Sequence, residues 1–235
     1  MTNMPFCYNH TIFLNFKNKN KQDQFIIFTS ECQLNLISKC SQILIDGTFK
    51  SCPKSFYQLT NIAGYYSDMN SIIPLILVPT TGRSEYLYDK IIKNIISIYE
   101  DTGHKIKDFP KFFMMDFESA MQKAVKKNFE NIKIDGCYFH FIKLFWAKAK
   151  KLNLCTKEKI KTTKILLFIL KIIPFMPIDE KIEFYEDIKK YYAIENNDNY
   201  KKLVNYYEKY WLRNNYINFE ILKNEELINR TNNYV

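Results

Sequence analysis

The chain is poor in the residues that break or staple a fold: it has 5 glycines and 7 prolines in 235 residues. No stretch is low in complexity and no repeat with a period of about 20–50 residues appears, which excludes linkers, tails and solenoids as the main architecture. It also lacks a long apolar run. The longest, Ile165 to Leu170 continuing past Lys171 to Ile173, falls well short of the roughly 20 residues that span a bilayer, so it reads as a buried helix. Nothing at the N-terminus reads as a signal peptide. The six cysteines are scattered through a chain too large to need a disulfide framework, and the expectation is a reducing, intracellular site.

What is present is apolar and aromatic: 47% hydrophobic residues and 16% Phe, Trp and Tyr, enough for a sizeable core. The net charge is +9, and its placement says more than its size. Between Phe141 and Ile173 stand nine lysines (Lys143, Lys148, Lys150, Lys151, Lys157, Lys159, Lys161, Lys164, Lys171) against one acid, Glu158, so this span carries +8. Such a local excess suits a polyanion, because neutralising phosphates releases counterions. A solvated helix face would have the same composition.

The periodicity gives an order of elements. Residues 1–40 read as a polar lead-in with a turn at "KNKNKQDQ". "SQILIDGTFKSC", "FYQLTNIAGYY" and "SIIPLILVPTT" read as three strands, the last two joined by a turn at "SDMN". Leu87, Ile91, Ile95 and Ile98 then recur at helical spacing behind Ser84, a good N-cap. "FPKFFMMDF" is a fourth strand and "ESAMQKAVKKNFEN" a helix with Ala120, Met121, Ala124, Val125 and Phe129 inward. "IKIDGCYFH" is a fifth strand, and helices follow over 141–152, 157–173, 178–192 and 200–211. Three meandering strands followed by αβ units imply a mixed α/β sheet with helices packed on it.

Asp46 and Asp116 both stand where an apolar strand ends, the place where ligands of open α/β sheets gather. Two carboxylates brought together there repel unless a divalent cation lies between them, and hard oxygen donors suit Mg²⁺ or Mn²⁺. Each residue also has a plainer reading: Asp46 opens a turn and Asp116 caps the following helix.

"IDGTFKSCP", "FMMDFESAMQKAV" and "GCYFHF", in that order, resemble the transposase domain of Mutator-like elements, the MULE group of DDE transposases. The resemblance runs from about Ser41 onward. It implies a ribonuclease-H-like fold with a helical insertion, in which residues 41–140 form the core and 141–235 the insertion and remaining part of the same domain. It implies Asp46 and Asp116 as the first two catalytic acids and metal ligands, two Mg²⁺ or Mn²⁺ ions, DNA as partner through Lys143, Lys148, Lys150, Lys151, Lys157, Lys159, Lys161 and Lys164, and a nuclear protein. It involves no membrane and admits a homodimer. Cys137 and His140 match the family's C-x-x-H, whose role stays open between ligation and ordinary packing. Thr231, Asn232 and Asn233 match a motif that leads into the third acid, a Glu expected directly after Val235, so the catalytic set is expected to be short by one. Glu225 and Glu226 lie too early to replace it, and Glu118 is expected to point elsewhere. The alternative function is a catalytically inactive, transposon-derived DNA-binding protein that uses the lysine-rich helices.

Overall fold

The computed structural model describes residues 11–17, 23–194 and 198–212, which divide into two compact units, one up to Cys137 and one from Tyr138. The first unit is a mixed sheet. Its strands are β1 (Thr11–Lys17), β2 (Gln24–Ser30), β3 (Gln42–Thr48), β4 (Gln58–Tyr66), β5 (Ser71–Thr80), β6 (Phe112–Met115) and β7 (Lys133–Gly136), in spatial order β1-β2-β5-β4-β3-β6-β7. β3, β4 and β5 form the expected antiparallel meander, and β6 and β7 then add in parallel, reached through helices α2 (Glu85–Asp101) and α3 (Ser119–Asn128).

One departure is at the start. The polar lead-in expected over residues 1–40 instead holds β1 and β2, which pair antiparallel and extend the sheet beyond β5, and helix α1 (Glu31–Ile37). The reason is visible in β2, where Phe25, Ile27 and Thr29 alternate inward: a period of two masked by apolar residues on both faces. The expected turn at "KNKNKQDQ" falls largely outside the described residues.

One face of the sheet is covered by α1, α2 and α3. Ile43 and Ile45 of β3, Ile62 of β4 and Phe113 and Met115 of β6 meet Leu87, Ile91 and Ile95 of α2 and Met121, Ala124 and Val125 of α3 in one apolar cluster. Ser84 caps α2 as its position predicted, its hydroxyl accepting from the Leu87 amide at 3.1 Å. Helices α2 and α3 are also joined by Asp89, which accepts from Asn128 at 2.8 Å and pairs with Lys93 at 3.0 Å and Lys127 at 3.3 Å. Burial alone would raise this carboxyl's pKa, but the hydrogen bonds from Asn128, Lys93 and Lys127 outweigh it and hold it down to about 2.

The second unit is helical: α4 (Tyr138–Lys151), α5 (Ile160–Ile172), α6 (Ile178–Ile194) and α7 (Asp198–Tyr207), the last continued by a π-helical turn, Glu208–Leu212. Its core is aromatic. Phe141 meets Trp211 edge-on at 5.0 Å, and Phe145 stacks on Tyr207 at 5.5 Å. Tyr207 and Trp211 are therefore core residues, whereas Tyr210 is exposed. No helix among the described residues is long and apolar enough to cross a membrane. Cys40, Cys52 and Cys155 are free thiols, and Cys32 is disulfide-bonded, a bond that the expectation of a reducing site did not foresee.

Candidate active site at the strand ends

Asp46 lies within β3 and Asp116 directly follows β6. The two strands are parallel neighbours in the register Ile43↔Phe113, Leu44↔Met114, Ile45↔Met115. Asp46 continues β3 and Asp116 follows the end of β6, so each stands one residue past the last paired level, Ile45↔Met115. Seventy residues of chain separate them in sequence; a parallel pairing with a helical crossover brings their two strands side by side.

Side chains alternate along these strands. Ile45 and Ile62 enter the helix-covered core, so Asp46 and its cross-strand partner Asn61 face the other way, with Leu44, Ala63, Tyr65, Met114 and Cys137. One Asp46 oxygen, Oδ1, is enclosed by protein. Asp116 is oriented by the turn that follows it. Its Oδ1 accepts from the Glu118 amide at 3.0 Å, and its carbonyl accepts from Gln122 Nε2 at 2.9 Å, which ties the carboxylate to the start of α3. The plainer reading of Asp116 as a local cap and the functional one therefore coexist: the turn uses one oxygen and fixes the rotamer. Gly136 of β7 lies under the ring of Phe117, which meets the space a Cβ would occupy there, so a side chain at 136 would displace the residue next to Asp116.

Glu118 has a specific partner in α2. It accepts from the buried Tyr88 hydroxyl of α2 at 3.0 Å. Burial raises its pKa, Tyr88 and Arg83 pull it down, and the Asp116 charge pushes it up. Tyr88 is itself held far above the usual phenol range, by burial first and then by the charges of Glu118 and Asp116.

The sequence reading missed three polar groups of this region. Gln58, 3% exposed, lies over Gly47 in the DGTF segment. Asn61 is 6% exposed beside Asp46. Asp135 of β7, 9% exposed and level with Met114, has Oδ1 without a hydrogen-bond partner among the described residues. A polar residue inside an apolar strand run was the available signal for each. Burial pushes the Asp135 carboxyl up to about 6, against the pull of Lys133. Because this pKa is above the 3.8 of the free group, the charged form costs stability once pH exceeds about 4, and the cost is complete above about 6. Asp135→Asn is expected to raise stability at pH 7 by about 1–3 kcal/mol and to leave it nearly unchanged at pH 4, read as melting temperatures at the two values.

The C-x-x-H residues span a strand-to-helix junction. β7 ends at Gly136, and Tyr138 opens α4, so the strand expected over "IKIDGCYFH" is shorter and His140 stands in the first turn of a helix instead of at a strand end. Cys137 is fully buried in the apolar cluster with Leu44, Ala63, Tyr65 and Met114, and its amide donates to the Met115 carbonyl at 2.8 Å. Among the described residues no group of three or more His, Cys, Asp and Glu side chains is gathered closely enough to hold a metal ion.

In the helical unit Lys143, Lys150, Lys151, Lys157, Lys161 and Lys164 are exposed, and Lys148, Lys159 and Lys171 are half-buried. Lys148 lies over the Tyr206 ring at 5.0 Å. The ion pairs seen in this unit use other lysines, such as Lys189 with Glu208 at 2.9 Å and Lys190 with Asp187 at 3.4 Å. Thr231, Asn232 and Asn233, like Glu225 and Glu226, lie outside the described residues.

No curated protein matches the chain. Residues 42–144, which run from the start of β3 into α4 and contain Asp46, Asp116, Cys137 and His140, match the family model of the MULE transposase domain.

Proposed function

We propose that the chain is a DNA strand-cleaving and strand-joining domain of the transposase type, with Asp46 and Asp116 as the acids that hold Mg²⁺ or Mn²⁺. The observation that carries this reading is the parallel register of β3 and β6, in which each aspartate stands one residue past the last paired level. The meander β3-β4-β5 followed by parallel β6 and β7 supports a ribonuclease-H-like core with a helical insertion.

The residues fit a hard divalent cation in type, since two carboxylates and a neighbouring amide offer oxygen donors and Mg²⁺ keeps several waters when bound by one or two carboxylates. Bound there, a pair of such ions supplies activation of the attacking hydroxyl and charge stabilisation at the phosphate. The protein's own part is positional. Asp116 has one oxygen occupied by the Glu118 amide, which leaves the other for the ion and removes freedom from the rotamer. Asp46 is held within β3 by its pairing with Asn61 of β4, one residue past the last pair with β6. By the family resemblance a third acid completes the set.

DNA would be held by the exposed lysines of α4, α5 and the segment between them, whose charge favours phosphate without reading sequence. That exposure also favours a second reading, a DNA-binding protein without catalysis. A nucleus is the compartment in which either would act.

Nicking of supercoiled plasmid separates the two. The expected result is relaxation that needs Mg²⁺ or Mn²⁺ and stops with chelator. DNA retention that weakens steeply with salt, with no nicking under any divalent condition, would leave the binding reading.

A further inference from the structure

Asn61 is the least explained side chain of the sheet. It is 6% exposed, and among the described residues neither its Oδ1 nor its Nδ2 has a hydrogen-bond partner. A buried amide left unpaired is costly, because it has lost its water without replacement. The buried neighbour on its own face of β4, Ala63, is apolar, so nothing in strand pairing calls for an amide here. Its location is specific: Asn61 is directly opposite Asp46 in the β3–β4 register, on the same face, with Cβ atoms about 4.5–5.5 Å apart. On its other side its partner is Leu77 of β5, which is 39% exposed, so the pair lies where the sheet face begins to open.

We propose that Asn61 is a ligand-contacting residue of this site, its amide taking hydrogen bonds from the water shell of a divalent cation held by Asp46 and Asp116. The inference rests on the metal-binding reading of those aspartates. An ion bound through only one or two carboxylates keeps several waters, and those waters need acceptors. The Asn61 Oδ1 is an acceptor already stripped of solvent, on the strand next to a ligand, and residues that orient bound water in this way typically change metal affinity by about 10–100-fold. The destabilisation of the metal-free protein is then the counterpart of binding, since the amide finds its partner only when the ion arrives.

The test uses Mn²⁺ as the probe and the whole 235-residue chain, with free Mn²⁺ followed by electron paramagnetic resonance and metal-free melting measured in parallel. Asn61→Leu is expected to raise the Mn²⁺ dissociation constant by about tenfold or more, while the metal-free melting temperature stays level or rises. Asn61→Ala serves as the second variant, with the same loss of affinity and no added bulk. An unchanged dissociation constant in both, with Asp46→Asn still weakening Mn²⁺ binding, would overturn this inference and leave the aspartate reading standing. Binding that survives Asp46→Asn as well would sink the aspartate reading and this inference with it. A metal-free melting temperature that falls by several degrees in both variants would mark Asn61 as a structural residue and overturn the proposal.

Discussion

Asp46→Asn and Asp116→Asn are each expected to slow metal-dependent strand cleavage by roughly three orders of magnitude while leaving the melting temperature within a few degrees of the parent. The size follows from what a carboxylate does at such a site. Metal-borne stabilisation of the developing phosphate charge amounts to several kcal/mol, and each 1.36 kcal/mol is tenfold in rate. A neutral amide of the same shape holds the ion too weakly to retain it. The preserved fold follows from local contacts. Asn at 116 can still accept from the Glu118 amide through its Oδ1, the bond that aspartate makes at 3.0 Å, so the turn into α3 survives. Asp116→Ala is the informative contrast: it removes both the ligand and the turn, and should cost about 0.5–2 kcal/mol of stability as other lost caps do. Cleavage at the parent rate in either Asn variant, with metal still required, would show that the ion is held elsewhere.

The elements that position the two acids were legible because their cues are local. A run of apolar residues ending in Asp-Gly gives β3, and a helical stripe behind Ser84 gives α2. The chain order β-β-β-α-β-α-β needs no tertiary information. β1 and β2 were not legible, since an edge hairpin with apolar residues on both faces has no clean alternation to announce it. The boundary after Gly136 was misplaced for a related reason. "CYFHF" is as apolar as the strand before it, and only the packing of Phe141 and Phe145 in the aromatic core of the second unit makes it helical.

The polar residues of the site divide the same way. Asp46 and Asp116 were recognisable by position and by the resemblance they carry. Asn61 and Asp135 were not, because what distinguishes them is register and burial: Asn61 matters by standing opposite Asp46, and Asp135 by being enclosed without a partner for Oδ1 among the described residues. Cross-strand pairing is a property of the sheet as assembled, and nothing in "YQLTNIAGYY" taken alone says which residue of another strand Asn61 will meet. The lysine-rich span was legible in charge but not in shape. Its exposure pattern depends on which helix faces the aromatic core claims.

Phe113→Ala is expected to destabilise the first unit by about 3–5 kcal/mol, the usual cost of truncating a buried aromatic ring to a methyl group, and to lower the melting temperature on the order of 10 °C. Phe113 is 1% exposed on the short strand β6, with its ring 6.2 Å from Phe109 and 5.2 Å from Phe129 at the end of α3. The cavity cannot collapse easily, because β3 and β7 hold β6 on both sides through Ile43 and Ile134. Phe113→Leu, which returns part of the volume, should recover part of the loss. The consequence for the site comes from alternation along the same four residues. Phe113 and Met115 anchor β6 to the helices, and that anchorage fixes the level at which Asp116 leaves β6 next to β3. Mn²⁺ affinity in Phe113→Ala, measured well below its melting point, should therefore fall by more than in a variant of equal instability made in the aromatic core of the second unit, such as Phe145→Ala. Equal losses in the two would mean that affinity follows global stability, and that the register of β6 sets nothing by itself.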